Sequence, residues 1–558
     1  MYHAHDHSLD LNRLLETLLD EQRLEPGDTL KVLEQARNTA LHPLELLANL
    51  NLTDRQRPDC ILDLDTLCQW LADKTGQVYR RLDPLKIDLA RVNGLISPAF
   101  ARCHGIMAVA RDERGVTVAS AQPYQRGWEA DLARSLGLPI RRVLANPVQL
   151  RQLTHTCEHL AQSIQGAQRQ GASLGALEHL LEQGASACSD TVDDAHIVHI
   201  ADWLVAYAVE QRASDIHLEP RQDQGRLRYR IDGLLHTVYG FPASVTLALV
   251  SRLKHLARMD VAQKRRPQDG RLRSRLAGGK EVELRLSTLP TPFGEKLVLR
   301  LFDPEQLHES FERLGLDGAL LAQWHALLSR RQGIILLTGP TGSGKTSTLY
   351  ASLKHLATPE VNLCTIEDPI ERLEPGFNQL QVQPSLDLTF ANGVRALLRQ
   401  DPDIIMIGEI RDRETAQVAV QAALTGHLVL STLHTNDACA AVTRLQELGV
   451  ADYLIKATLV AVMAQRLIRT FCTDCRGQLH NADGSCRTCR GTGYLGRTGL
   501  FELLVLCEAL RARIATRTDL DSFRHQALAH GMRDLRRCGE EKVAQGLTSL
   551  QEVFRVCG

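Results

Sequence analysis

The chain has 558 residues, enough for roughly three or four domains with separate cores. Hydrophobic residues make up 44% and charged residues 23%, a balance that excludes disorder, collagen and coiled coil. The 65 Lys and Arg against 66 Asp and Glu leave a net charge of -1, which excludes a whole-molecule basic field but leaves room for local patches.

From the N-terminus, M-Y-H-A-H-D-H-S-L-D lacks a basic region followed by an apolar one, so no secretory signal is expected. His3, His5 and His7 read as a solvated tail. Leu11, Leu14, Leu15, Leu18 and Leu19 follow the spacing of one buried helical face. Pro26-Gly27-Asp28 reads as a turn that caps a second helix, and Pro43 suits the first turn of a third. Residues 1–60 thus form a helical module. Short apolar stretches alternate with helical ones over residues 61–160, the texture of a small α/β domain. An Ala, Gln, Gly and Ser-rich segment over 161–195 reads as a helix running into a flexible linker.

A second mixed domain is expected over 196–302, opened by an apolar helix and continued by alternating strands. A linker with a helix near Leu314 to Leu328 follows, over 303–332. From Gly333 to about Thr470 strands and helices alternate, the pattern of a parallel sheet flanked by helices. No apolar run reaches the ~18 residues of a membrane span. The nearest, Leu454 to Leu467, contains Lys456, Gln465 and Arg466. The chain is therefore expected to be cytosolic, with its 14 cysteines as thiols or metal ligands.

Gly339-Pro340-Thr341-Gly342-Ser343-Gly344-Lys345-Thr346 matches G-x-x-x-x-G-K-[ST] between an apolar strand and a helix. Glycines let backbone N–H groups turn inward around a phosphate, and the helix N-terminus adds its positive end. Lys345 would reach the β and γ oxygens, and the Thr346 hydroxyl would ligate Mg²⁺. Hydrolysis also needs carboxylates. Glu367 follows the strand V-N-L-C-T-I, and Glu409 follows the strand I-I-M-I. Gly408 takes the usual strand-end Asp position, so Glu409 is expected to carry the acidic role there. His427 and His434 bracket the next apolar strand and could sense a γ-phosphate.

These segments resemble the secretion ATPases of type II secretion and type IV pilus assembly, the general secretion pathway protein E group. G-P-T-G-S-G-K-T, T-I-E-D-P-I-E, L-R-Q-D-P-D-I-I-M-I-G-E-I-R-D and T-G-H-L-V-L-S-T-L-H-T-N-D-A look like that group's Walker A, Asp box, atypical Walker B and His box. S-D-I-H-L-E-P, R-P-Q-D-G-R and R-L-S-T-L-P resemble its PAS-like domain. The resemblance implies a multidomain α/β architecture: an N-terminal helical and α/β adaptor region, a PAS-like α/β domain over 196–302, and a P-loop RecA-like motor over 333–558. It also implies ATP and Mg²⁺ as ligands, a homohexamer, inner-membrane platform proteins as partners and a peripheral place at that membrane. The absent basic field and the Ile410-Arg411-Asp412 context speak against nucleic acid. Some relatives bind cyclic di-GMP through a leucine-rich N-terminal module. Asn12-Arg13-Leu14-Leu15 lacks the expected Arg-Leu-Gly opening, so docking is the preferred reading.

Cys472-x2-Cys475-x10-Cys486-x2-Cys489 supplies two thiolate pairs suited to tetrahedral Zn²⁺, and the family has the same element. All four positions are cysteine, so the site is expected to be structural. Glu367 is expected to orient water and Glu409 to support Mg²⁺ or the water, with the roles open to reversal. Only Lys345 is an evident cation within the motor motifs, so Arg230, Arg271, Arg285 and Arg300 of the preceding domain are expected to close over nucleotide. Ion pairs with Asp232, Asp269 or Glu295 are the bland alternative for them. A regulatory nucleotide-binding protein or a nucleic-acid translocase would share the motor fold.

Overall fold

The computed structural model describes residues 6–39, 41–83, 87, 89–92, 94–171, 195–275, 281–302, 310–316, 318–478, 486, 488–489, 491–515 and 519–558. His3, His5 and most of the linker expected over 161–195 lie outside these residues. The chain divides into two compact units, one of residues 1–302 with 479–491 and one of residues 303–478 with 492–558.

In the first unit, helices Leu11–Asp20, Pro26–Asn38, Pro43–Ala48 and Leu64–Thr75 enclose a leucine core that includes Leu14, Leu18, Leu44 and Leu67. The expected turn at Pro26-Gly27-Asp28 is instead the first turn of its helix. Pro26 opens that helix with no side-chain cap, because its fixed φ suits a position where the N–H has no partner. Strands β1 (Thr53–Asp54) and β2 (Arg57–Ile61) form a short hairpin. A three-stranded sheet follows, with β3 (Ile106–Asp112) antiparallel to β4 (Gly115–Ser120) and β4 parallel to β5 (Ile140–Leu144). These strands are the apolar stretches of the sequence.

Helix Ala195–Glu210 leads into a six-stranded antiparallel sheet in the order β8-β7-β6-β11-β10-β9. Its strands are β6 (Ala213–Glu219), β7 (Gln224–Ile231), β8 (Leu234–Pro242), β9 (Gln268–Arg275), β10 (Glu281–Thr291) and β11 (Gly294–Phe302). Period-two alternation buries Val282, Leu284 and Leu286 and leaves Glu283 and Arg285 on the other face. The register sets Arg271 opposite Arg285, Arg285 opposite Arg300, Arg300 opposite Asp215 and Asp215 opposite Arg230. One transverse row therefore carries four arginines and a single carboxylate.

The second unit is a seven-stranded sheet in the order β14-β13-β15-β16-β12-β17-β18. Its strands are β12 (Gly333–Thr338), β13 (Leu363–Glu367), β14 (Asn378–Gln381), β15 (Ile404–Ile407), β16 (Leu428–Leu433), β17 (Leu459–Phe471) and β18 (Tyr494–Val505). All neighbours are parallel except β17 and β18. β12, β13, β15 and β16 are buried along their whole length, which is why they read as continuous apolar runs. Helices Gly318–Leu328 and Lys345–Leu356 pack on one face through Trp324, Leu349 and Leu353. Helices Arg413–Leu424 and Ala440–Glu447 cover the other through Ala419 and Val442. Parallel strands fed by helices put their C-terminal ends, and the loops that follow them, along one edge.

Candidate functional site

At that edge β12 runs directly into the glycine loop, and helix Lys345–Leu356 leaves it. Gly339, Gly342 and Gly344 adopt φ of 147°, 78° and 87°, which L side chains rarely adopt. A Cβ at Gly339 would also lie 2.5 Å from the Gln465 carbonyl oxygen. Lys345 is buried, and its Nζ donates to the carbonyls of Gly339 (2.6 Å) and Pro340 (3.0 Å). Burial pushes its ammonium down to about 8; Glu409 works against this shift and Arg466 adds to it. Thr346 sits half-buried in the first helical turn.

Two buried polar atoms here have no hydrogen-bond partner, Ser343 Oγ and Gln465 Nε2. Gln465 Nε2 would lie 2.8 Å from a Cβ at Gly344, so it faces the loop. Orphaned polar atoms, a glycine-lined backbone and a buried cation fit a polyphosphate.

Glu409 lies two residues beyond β15. Gly408 donates its N–H to the Ile366 carbonyl (2.8 Å), and its carbonyl accepts from Thr432 Oγ1 (2.8 Å). A Cβ at Gly408 would lie 3.3 Å from the Ile366 oxygen, a crowding that suits glycine here and moves the acid one residue on. The Glu409 carboxylate lies 2.6 Å from Arg411 Nε and 3.5 Å from His434 Nε2. His434 opens the loop after β16, whose Thr435 is hydrogen-bonded to Thr338 at the end of β12.

Glu367 ends β13 in a closed setting. Its carboxylate accepts from Tyr350 Oη (2.6 Å), Thr365 Oγ1 (2.7 Å) and Gln379 Nε2 (3.2 Å), and it is buried. His427 is not brought to the edge at all. It precedes β16, at the opposite end of that strand from His434, with Nδ1 against the Ala422 carbonyl and the Thr425 hydroxyl. Six residues of strand separate the two histidines by about 20 Å.

Residues 190–555 match the family described as type II/IV secretion system protein. The chain belongs to that family. Residues 76–164 match the MshEN domain. The type IV pilus assembly ATPase TfpB of Acinetobacter baylyi is 46% identical over 577 residues, covering 98% of each chain. The type II secretion system protein E of Klebsiella pneumoniae is 42% identical over 490 residues, covering 83% of this chain and 96% of that one. The ATPase DotB of Legionella pneumophila, solved by X-ray, shares the fold at a TM-score of 0.51 and 22% identity, over 64% of this chain and 95% of that one. This member of the secretion family is an ATPase of the type II secretion or type IV pilus assembly machinery, as the resemblance implied.

The family's cysteine element is assembled. The sulfurs of Cys472, Cys475, Cys486 and Cys489 all lie within 4.8 Å of one another, and three of the residues are buried. Arg476 and Gly477 take left-handed φ of 49° and 77° straight after the second cysteine, and the Cys472 N–H donates to the Gly493 carbonyl. No described helix is long and apolar enough to cross a membrane.

The row arginines meet partners other than those expected. Arg300 Nε lies 3.0 Å and Arg230 Nε 3.7 Å from Asp215, and Arg271 lies 3.9 Å from Glu283. Arg285 stacks over the Phe302 ring at 4.2 Å. Glu295 is taken by the fully buried Lys254. Sequence reasoning also passed over Gln465 and Arg466, which sit inside an apolar run and are placed beside the loop by the pairing of β17 with β12.

Proposed function

We propose that this chain hydrolyses MgATP to drive assembly of a type IV pilus, working as a homohexamer on an inner-membrane platform. The observation that carries the catalytic reading is the convergence of Lys345, Glu409 and His434 on loops at one sheet edge, beside unsatisfied Ser343 and Gln465. The pilus, in preference to secretion of folded proteins, is supported by the higher identity over the full length, 46% to a pilus assembly ATPase against 36% to a type II secretion system protein E that is matched equally fully.

Lys345 exchanges its two loop carbonyls for phosphate oxygens, so the cradle is already shaped before nucleotide arrives. Thr346 and Glu409 would hold Mg²⁺, which when bound offsets charge on the β and γ oxygens. Glu409 is the more open of the two acids and lies against His434, so it also suits the water-orienting role. Glu367, with both oxygens engaged, holds Tyr350 of the loop helix and acts from behind. His434 reports on the γ position. Arg271, Arg285 and Arg300, with Arg230, supply positive charge to the developing transition state.

The four thiols suit structural Zn²⁺. A tetrahedral site with Zn–S near ~2.3 Å needs sulfurs about 3.8 Å apart, within reach of the present spacing.

Steady-state phosphate release by the purified chain tests the enzyme, and deletion of its gene followed by assays of surface pili and of secreted proteins tests the pathway. Loss of pili with secretion intact is expected. Loss of secretion alone would reassign the chain to the secretion branch.

A further inference from the structure

Arg466 is a buried guanidinium that, among the described residues, makes no ion pair. It donates to two backbone carbonyls, Nη1 to that of Gln465 (3.0 Å) and Nη2 to that of Asn436 (2.5 Å). Asp437 and Glu502 act on it only through space, and a buried charge with no bonded counter-charge is costly. Its surroundings explain why one is tolerated here. The same Nη1 would lie 3.0 Å from a Cβ on Gly339, the first residue of the phosphate loop, and Arg466 is close enough to Lys345 to press on its charge. Two cations therefore border one cradle, Lys345 with Glu409 nearby and Arg466 with Asp437 and Glu502 at longer range. A polyphosphate would offset the charge that desolvation leaves unbalanced on both.

The second contact gives this charge a task. Asn436 lies two residues past His434, in a loop gripped from several sides. Thr435 bonds to Thr338 on β12. Asp437 pairs with Arg524 of helix Leu520–Ala529. Glu502 on β18 accepts the backbone N–H groups of Ala438 (2.8 Å) and Leu535 (3.3 Å). Two of these grips border the phosphate loop, the Thr338–Thr435 pair and Arg466, and of the two Arg466 carries a charge that a phosphate would meet. We propose that Arg466 is a positioning residue for hydrolysis, fastening the His434 loop to the phosphate loop so that filling the cradle sets the place of His434 against Glu409. This rests on the ATPase reading and adds to it a residue outside every motif that suggested it.

The test compares the full-length protein with Arg466→Gln and Arg466→Lys. Readouts are kcat and KM for ATP, affinity for a fluorescent non-hydrolysable ATP analogue, thermal midpoint, and amide hydrogen exchange of residues 434–440 with and without that analogue. Arg466→Gln is expected to lower kcat on the order of 10- to 100-fold, the range of a lost charged hydrogen bond, with the larger effect on kcat than on KM. Arg466→Lys, which keeps the charge but not the two-carbonyl reach, should recover part of kcat. The analogue should protect 434–440 in the parent and in the Lys variant but not in the Gln variant. Unchanged kcat, a rise in KM alone, or activity that follows only the folded fraction in both variants would overturn the proposal. If the parent binds the analogue but releases no phosphate, the ATPase reading fails. The exchange data then decide the loop coupling separately.

Discussion

Arg285 lies directly opposite Arg300 on adjacent antiparallel strands. Like charges in that relation repel, and Arg271 extends the row on one side while Asp215 and Arg230 continue it on the other. A folded sheet keeps such a row at a cost in stability, which an approaching polyanion would offset. If one of these arginines serves a neighbouring subunit, mixing inactive Lys345→Ala with inactive Arg285→Ala should restore part of the ATPase activity. Arg285→Ala alone should lose about 10³–10⁵ in rate, as removal of a transition-state arginine does, and Lys345→Ala alone should not turn over. No recovery at any ratio, with mixed assembly verified by labelled subunits, would reject action across the boundary.

Lys345→Ala and Glu409→Gln should part company. The first removes the phosphate cation and should weaken nucleotide binding and abolish turnover. The second leaves the cradle intact, so binding should persist while phosphate release stops. Titration with a fluorescent nucleotide beside phosphate release separates them, and equal loss of affinity in both would contradict the assigned roles.

Nucleotide affinity should also depend on pH. Burial lowers the Lys345 ammonium to about 8, so the empty site is charged below that pH and loses its proton as pH rises through it. Phosphate needs the charged form, so binding at higher pH must take up a proton. The apparent Kd should rise about tenfold between pH 7 and pH 9. A flat profile over that interval would count against a desolvated lysine.

Protein prepared without chelator should carry about one zinc per chain. Structural zinc contributes on the order of 10–16 kcal/mol in isolated finger peptides, so chelation should expose the backbone amides around Cys472 and Cys489 to exchange. Metal analysis that finds no zinc would remove the assignment.

Glu552 ties the last helix to β17 through both oxygens, with Arg469 at 3.0 and 2.8 Å and Arg555 beside it. These hydrogen bonds hold its carboxyl down at about 2 against the cost of burial. Glu552→Gln leaves two arginines short of a counter-charge and should destabilise the motor unit by about 3–5 kcal/mol, read as a lower unfolding midpoint. Because the folded-state value is depressed, the contribution is present above the ordinary carboxylate range and is lost as pH falls through about 2.

The buried parallel strands were legible because each is a short apolar run bounded by turn residues, and the glycine loop because its composition follows from its backbone. His427 and His434 looked equivalent in the sequence, since both flank one strand. Only the shared direction of parallel strands shows that the C-terminal end faces nucleotide. The arginines of β9 to β11 were visible as alternation, but their partners were not. Asp215 and Glu283 reach them through strand register, which spacing along the chain does not encode. Arg466 was hidden for the opposite reason: a charged residue in an apolar run reads as an interruption until the neighbouring strand is known.

β17 and β18 form one long antiparallel hairpin, and the segment that connects them carries the four thiols. Leu500 pairs with Arg466 in that ladder. A slip of two residues at the hairpin tip would keep every side chain on its own face yet displace β18, and with it the Glu502 that holds the backbone of Ala438 beyond His434. The thiol cluster closes that tip, so disturbing it is expected to reach the loop that carries His434 by way of β18.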